Sequence, residues 1–476
     1  MLARQAPEVM VVAVLKLRCL SVERLGCSFP HRRDIVLVYV ELVNISKLMT
    51  QTITKMLERK LPAMLLYISS TFSLTVGIVA QSAALVVLAR FLGTEQFGYL
   101  ATITAATNLG APWCGLGGAE ALRRRASRDP SLYPNLLGHS LILLSVSGAV
   151  LTLITIAALS FFVHVVTDPI DNLVILLLQV PCNLLLYPWI CLVEQILLTH
   201  GQFSRANAVN AGFGVMRAST ALVACLVFGV QTLHAWAIWN AVIYAVASLA
   251  CVAAIASFGA PRWTVLRDEV PLGATLSISG FLSMLRTNID LLALAAVATP
   301  QLVGAYGAAR RVVGTAVVTG GSLNRLVYAK LAIAGQSGLP ATLRLVRGYL
   351  AYAIALTGAT SIALFVTAPL MPWIFGKSFG DATGMVKILC WTLILTSIQN
   401  FAFDSFNATD RHRVRVIVAS LTSALGTAII AILTYRQGIT GTFVGIYLAE
   451  GLMAATLWTA LKALSDRYQR PAIVTE

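Results

Sequence analysis

The stretch 218-ASTALVACLVFGVQTLHAWAIWNAVIYAVASLACVAAIASFGAP-261 runs for 44 residues without an Asp, Glu, Lys or Arg. At about 1.5 Å rise per helical residue it would extend roughly 66 Å, about twice a ~30 Å hydrocarbon core. It therefore reads as two spans that turn at Gln231, Thr232 and His234. The whole chain agrees. Of its 476 residues 58% are hydrophobic and only 12% charged, against about 25% charged in soluble globular proteins. The composition is that of an integral membrane protein.

Apolar spans fall near 63–91, 97–122, 135–163, 172–199, 204–229, 232–257, 272–299, 302–333, 343–375, 382–408, 415–435 and 440–463. These twelve are long enough for helices, and none alternates as a membrane barrel strand does. Residues 1–60 hold only 8-EVMVVAVLKLR-18 and 35-IVLVYVELVNIS-46, both too short to span, with no clear cleavage site. This segment is expected to be a poorly ordered cytoplasmic extension, or a start upstream of the true one at Met49, Met56 or Met64.

The net charge of +15 could suggest nucleic acid, but the basic residues sit in short clusters between apolar runs, as in cytoplasmic loops. Even-numbered loops and the C-terminus carry sixteen, from Arg123 to Arg470; odd-numbered loops carry Lys377, Lys387 and Arg436. The positive-inside bias then places both termini in the cytoplasm. The outside loops are short, 164-HVVTDPIDN-172 being the longest candidate, so function is expected of the bundle itself. Eight cysteines show no CxxC pairing and read as small core hydrophobes. No GxxxxGK[ST] loop occurs, so ATP is not expected as the direct energy source, and no cofactor or metal is implied.

The chain repeats itself. 92-LGTEQFGYLA-101 echoes 298-ATPQLVGAYGA-308 about 205 residues later, and 198-LTHGQFSRANAV-209 echoes 407-NATDRHRVRVIV-418. The expected architecture is all-α: two six-helix bundles, 61–258 and 272–464, joined by a linker at 259–271 and followed by a tail at 465–476. Six is even, so the copies would be related by an axis along the membrane normal, around a central cavity.

At this point 88-LARFLGTEQFGYLATITAATNLGAPWCGLGGAEALRRR-125 resembles the span 1–2 signature of Wzx-type polysaccharide flippases. These belong to the superfamily that also holds multidrug and toxic-compound exporters and lipid II flippases. 286-RTNIDLLALAAVATPQLVGAYGAARR-311 is similar to the corresponding span 7–8 signature, and the likeness covers roughly residues 60–465. It implies a substrate: an undecaprenyl-diphosphate-linked oligosaccharide repeat unit, moved across the bacterial inner membrane for exopolysaccharide, capsule or lipopolysaccharide synthesis. Membrane lipids, a polymerase and a chain-length regulator are candidate partners; nucleic acid is not, and no enzymatic reaction is expected.

Charges inside the spans indicate how. An ionised side chain at a helix centre costs about 2.5–3.5 kcal/mol. Arg286 and Asp290 stand four apart on one face of span 7, where they could partly neutralise each other. Either they form a structural pair or both face a wet cavity. Arg217 lies mid-span, Arg310 and Arg311 lie a third of the way into span 8, and Glu194 lies in span 4. Four Arg against two carboxylates favour an anionic guest, since the guanidinium fork suits phosphate oxygens. Arg217, Arg286, Arg310 and Arg311 are thus the expected substrate ligands. Asp290 would orient Arg286 and titrate with a coupling proton, and Asp290 and Glu194 complete the expected substrate-binding set; helix glue and snorkelling are the competing reading. Arg90, Glu120, Arg325, Asp404 and Glu450 read as snorkelling near span ends. Gly115, Gly117 and Gly118 read as a close-packing element, and Pro181 and Pro188 as kinks. A drug or cation exporter of the same superfamily, a membrane polymerase or glycosyltransferase using 168-DPID-171, and a channel are the rival functions.

Overall fold

The computed structural model describes residues 79–162, 169–409 and 411–469. The N-terminal extension, the start of the 63–91 span, most of the 164–172 loop and the end of the tail lie outside the described residues. Everything described belongs to one compact unit, Ser73–Glu476, and no strand occurs among the described residues.

Helix α1 (79–110) contains Gly93 at φ +73°. A straight helix would hold Gln81 and Asn108 about 40 Å apart, yet both line one cavity. The chain therefore reverses at Gly93, where the absence of a Cβ permits the left-handed φ. The second arm ends in a 3-10 turn, Ala111–Trp113. Three left-handed residues follow, Gly115 (φ +77°), Leu116 (+42°) and Gly117 (+72°), before α2 (Gly118–Ala126).

Helices α3 (Tyr133–Phe162), α4 (Pro169–Pro181), α5 (Tyr187–Thr199), α6 (Phe203–Leu226) and α7 (Leu233–Ile255) complete the N-terminal half. Between α4 and α5 the expected kink is a π turn, Cys182–Leu186. It starts directly after Pro181, which has no N–H to donate to the preceding turn. The second half comprises α8 (Val270–Val297), α9 (Pro300–Gln336), α10 (Leu339–Thr367), short α11 (Met371–Phe375), α12 (Ala382–Leu389), α13 (Thr392–Ala408) and α14 (His412–Gln469).

Helix α14 has 58 residues and Gly438 at φ +59°. It doubles back there. The Thr434 and Thr442 hydroxyls are 3.0 Å apart, the Thr422 hydroxyl reaches Met453 Sδ at 2.8 Å, and Gly445 packs on Ile430. Each pair straddles Gly438 symmetrically, as an antiparallel hairpin requires. This reversal falls between the expected 415–435 and 440–463 spans. Eight helical runs among the described residues are long and apolar enough to cross a membrane, and the chain is a multi-pass membrane protein.

The segment joining the halves is docked on the first half. The Arg262 N–H donates to the Pro134 carbonyl at 2.8 Å, and the Leu266 N–H donates to His139 Nδ1 at 3.1 Å. Glu269, 4% exposed, takes Arg124 at 2.8 Å on one oxygen and Arg125 at 2.7 Å on the other. It holds the start of α8 to the end of α2.

The repeat has a physical register. A Cβ on Gly98 would lie 2.0 Å from the Pro300 carbonyl oxygen, and one on Gly304 would lie 1.9 Å from that of Thr94. The swap is reciprocal at an offset of 206, one more than the sequence echo suggests. Gln301 donates to Glu95 at 3.0 Å, Phe97 meets Phe379 edge-on at 5.9 Å, and the Leu233 N–H donates to Gln96 Oε1 at 3.1 Å. The turns at this end of the helices are thus closed over one another.

Candidate functional site: an arginine-lined cavity between the halves

A cavity of about 520 Å³ lies between the two arms of α1 on one side and α8 and α9 on the other. Its polar lining includes Gln81, Thr104, Asn108, Thr287, Asn288, Arg310 and Arg311. Depth follows from helix rise. Asn288 is nine residues from the end of α8, Arg310 ten from the start of α9, and Arg217 nine from the end of α6. Each is therefore about 14–15 Å from the closed end, near half of a ~30 Å core.

Arg310 and Arg311 line the cavity; Arg217, also an expected ligand, is not among its lining residues and stands behind them, near Arg311. Arg311 lies within electrostatic range of both Arg310 and Arg217, and Tyr187 is close by. Arg217 comes from the first half, the other two from the second. Arg310 is compensated: its Nε lies 3.0 Å from Asp290 Oδ2, to which Tyr306 also donates at 2.5 Å. Asp290 is only 4% exposed, and its other oxygen has no protein partner. Arg217 and Arg311 form no ion pair among the described residues, and Arg217 Nε is buried without a hydrogen-bond partner. Arg311 is accessible, and because it lines the cavity that surface faces the recess.

Arg286 is placed differently from expectation. It bonds Glu450 at 2.5 Å, not Asp290, and it does not line this cavity. Gln399 completes the cluster, donating to Glu450 Oε2 at 2.6 Å and to the Glu450 carbonyl at 2.9 Å. Residues 286 and 290 share a helix face, but α8 meets two different neighbours there: α14 beside Arg286 and α9 beside Asp290. Glu450, expected to snorkel at a span end, lies twelve residues beyond Gly438, about 18 Å into the returning arm. Glu194 also stays out of the cavity; it accepts from Asn210 at 3.1 Å between α5 and α6.

Sequence reasoning missed the neutral partners. Asn108 donates to Asn288 at 3.3 Å across the two halves, and Asn183 in the π turn donates to Thr107 at 3.1 Å. Tyr306, fully buried, anchors Asp290. Amides in apolar spans carry no charge to flag them, and at the repeat offset of 206 neither Asn108 nor Asn288 has an amide counterpart, so no sequence signal singled them out. No group of three or more His, Cys, Asp or Glu suited to a metal occurs among the described residues.

The fold is similar to that of solved transporters of the MOP superfamily. A MATE-family multidrug resistance transporter in an inward-facing conformation aligns with TM-score 0.70 at 15% identity, covering 85% of this chain and 99% of that one. The lipid II flippase MurJ in an inward closed conformation aligns with TM-score 0.65 at 13% identity, covering 84% and 87%. An outward-facing MATE-family transporter gives TM-score 0.54 at 17% identity over 84% and 96%. No curated protein matches. The model of the polysaccharide biosynthesis protein family matches residues 45–327, and the chain belongs to that family.

Proposed function

We propose that the protein is a flippase for an anionic lipid-linked oligosaccharide, with a diphosphate bound in the cavity by Arg217 and Arg311. One observation carries this reading. Two guanidinium groups, one from each half, stand uncompensated at mid-depth of a membrane bundle. Facing hydrocarbon, each would cost about 2.5–3.5 kcal/mol on insertion scales. A hydrated cavity removes much of that cost and leaves both forks free for phosphate oxygens. Arg310, held by Asp290, adds a fixed third cation at the wall. Asn108, Asn288, Thr104 and Thr287 offer neutral donors and acceptors suited to sugar hydroxyls.

Family membership supports the oligosaccharide, and a diphosphate-linked polyprenyl carrier is the version that fits a cationic cavity. The tail would stay in lipid while the headgroup crosses. With the Arg-rich loops in the cytoplasm, as the positive-inside bias places them, the end closed by Gly98 and Gly304 faces outward. The conformation is then inward-facing, and the higher TM-score to the inward-facing relative agrees. Twelve spans in two halves, both termini in the cytoplasm of a bacterial cell, complete the proposal. Asp290 orients Arg310, and Arg286 with Glu450 is a strut inside the second half. A cationic drug would be repelled by Arg217 and Arg311, which disfavours the exporter reading. The test is translocation of lipid-linked oligosaccharide in liposomes holding only this protein; the double variant Arg217→Gln, Arg311→Gln should abolish it while the purified protein stays folded.

A further inference from the structure

Between Asp290 and Asp381 the sequence has no Asp or Glu, but seven basic residues: Arg310, Arg311, Arg325, Lys330, Arg344, Arg347 and Lys377. The first two serve the central cavity. Lys330 and Arg344 stand near the α9–α10 turn, at the end of the bundle opposite the Gly98 closure, and neither forms an ion pair among the described residues.

A second cleft, about 730 Å³, opens there between α9 and α10 and shares no lining residue with the central cavity. Arg344 lies on its rim, five residues into α10, about 8 Å from the turn. The Lys330 ammonium is held at the same cleft by Tyr349, donating to the hydroxyl at 2.8 Å and lying 5.4 Å from the ring centroid. Deeper in, the walls are Leu323, Leu345 and Tyr352, and Tyr352 is 69% exposed. Leu323 and Tyr352 are each thirteen residues from the turn, so the groove runs about 20 Å along the helices from the polar end. A Cβ on Gly348 would meet nothing within 4 Å, so the floor is open.

We propose that this cleft binds one anionic phospholipid of the cytoplasmic leaflet. Its phosphate sits between Lys330 and Arg344, and one acyl chain runs over Gly348 toward Tyr352 and Leu323. Two cations without internal counter-ions at the polar end and an apolar groove continuing into the hydrocarbon match a phosphate joined to an acyl chain, and basic pockets between spanning helices are suited to anionic headgroups. A soluble anion would leave the groove unfilled, and a protein partner would have to enter the acyl region. The assignment needs the helices to cross a bilayer but does not rest on the flippase reading.

Native mass spectrometry of the purified full-length chain, with short-chain phosphatidylglycerol or phosphatidylcholine added, tests it. Phosphatidylglycerol should bind about 30-fold more tightly, each cation contributing about fivefold. The double variant Lys330→Gln, Arg344→Gln should lose that preference, Lys330→Arg should keep it, and Gly348→Leu should weaken both lipids by filling the groove. The thermal midpoint should rise with phosphatidylglycerol and stay unchanged with millimolar inorganic phosphate. A preference that survives the double variant, tail binding indifferent to Gly348→Leu, or equal stabilisation by inorganic phosphate each overturns the proposal.

Discussion

Gly98 and Gly304, 206 residues apart, pack against each other's turns: each backbone occupies the space a Cβ on the other would need, with carbonyl oxygens 2.0 and 1.9 Å from those Cβ positions. Neither site tolerates a side chain without backbone movement. Gly98→Val should force the two turns apart, an overpacking cost of about 1–3 kcal/mol. Cysteines placed at Glu95 and Gln301, whose side chains hydrogen-bond at 3.0 Å, report this directly. They should cross-link in the Gly98 parent and lose the cross-link when Val is added; unchanged cross-linking would mean the closure does not depend on this contact.

The Arg286–Glu450 pair is 18% exposed on both sides. Glu450→Gln strands the guanidinium, and breaking such a pair from one side costs about 3–5 kcal/mol when fully buried. Partial exposure places the expected loss near the lower figure. The combined Arg286→Met, Glu450→Leu variant should recover most of it, because no charge is then left alone. The thermal midpoint of the purified protein measures both, and a Glu450→Gln midpoint equal to the parent would remove the strut.

Tyr306→Phe deletes one donor to Asp290 and leaves Arg310 as its remaining partner. A hydrogen bond to a charged group is worth about 1.5–3 kcal/mol, so the variant should be destabilised by that order and should translocate more slowly as Arg310 loses its anchor. A rise in stability would show that the carboxylate does not need this donor.

Glu269 is buried, but Arg124 and Arg125 are 42% and 41% exposed. Solvent screens the pairs, so Glu269→Gln should cost about 1 kcal/mol at low salt. The cost should shrink toward zero near 1 M salt, where the Debye length falls to about 3 Å. A salt-independent loss would point to the carboxylate's packing and not to its charge.

Hydropathy made most of the helices legible, because helix length and apolar content are local properties. The expected 382–408 run corresponds to Ala382–Ala408, and 232–257 to Leu233–Phe258. The turn near Gly93 lay between two expected spans for the same reason. Partner choice was not legible. Spacing put Arg286 and Asp290 on one face, but which neighbour each meets depends on where α14 folds back and how α9 crosses α8. The cavity arginines were findable as charges out of place, whereas Asn108, Asn288 and Tyr306 gave no such signal. Glu450 was read as lying near a span end although the expected 440–463 span already put it ten residues from its start; what the sequence did not show is its partner, Arg286.

Translocation of a diphosphate-linked oligosaccharide lipid in liposomes, measured for the parent, Arg217→Gln, Arg311→Gln and the double variant, tests the central claim. With each charged contact to phosphate worth about 1.5–3 kcal/mol, each single variant should slow transfer by about 10- to 100-fold. The double variant should fall to the protein-free rate at unchanged folded yield. Transfer by the double variant at the parent's rate would contradict the account.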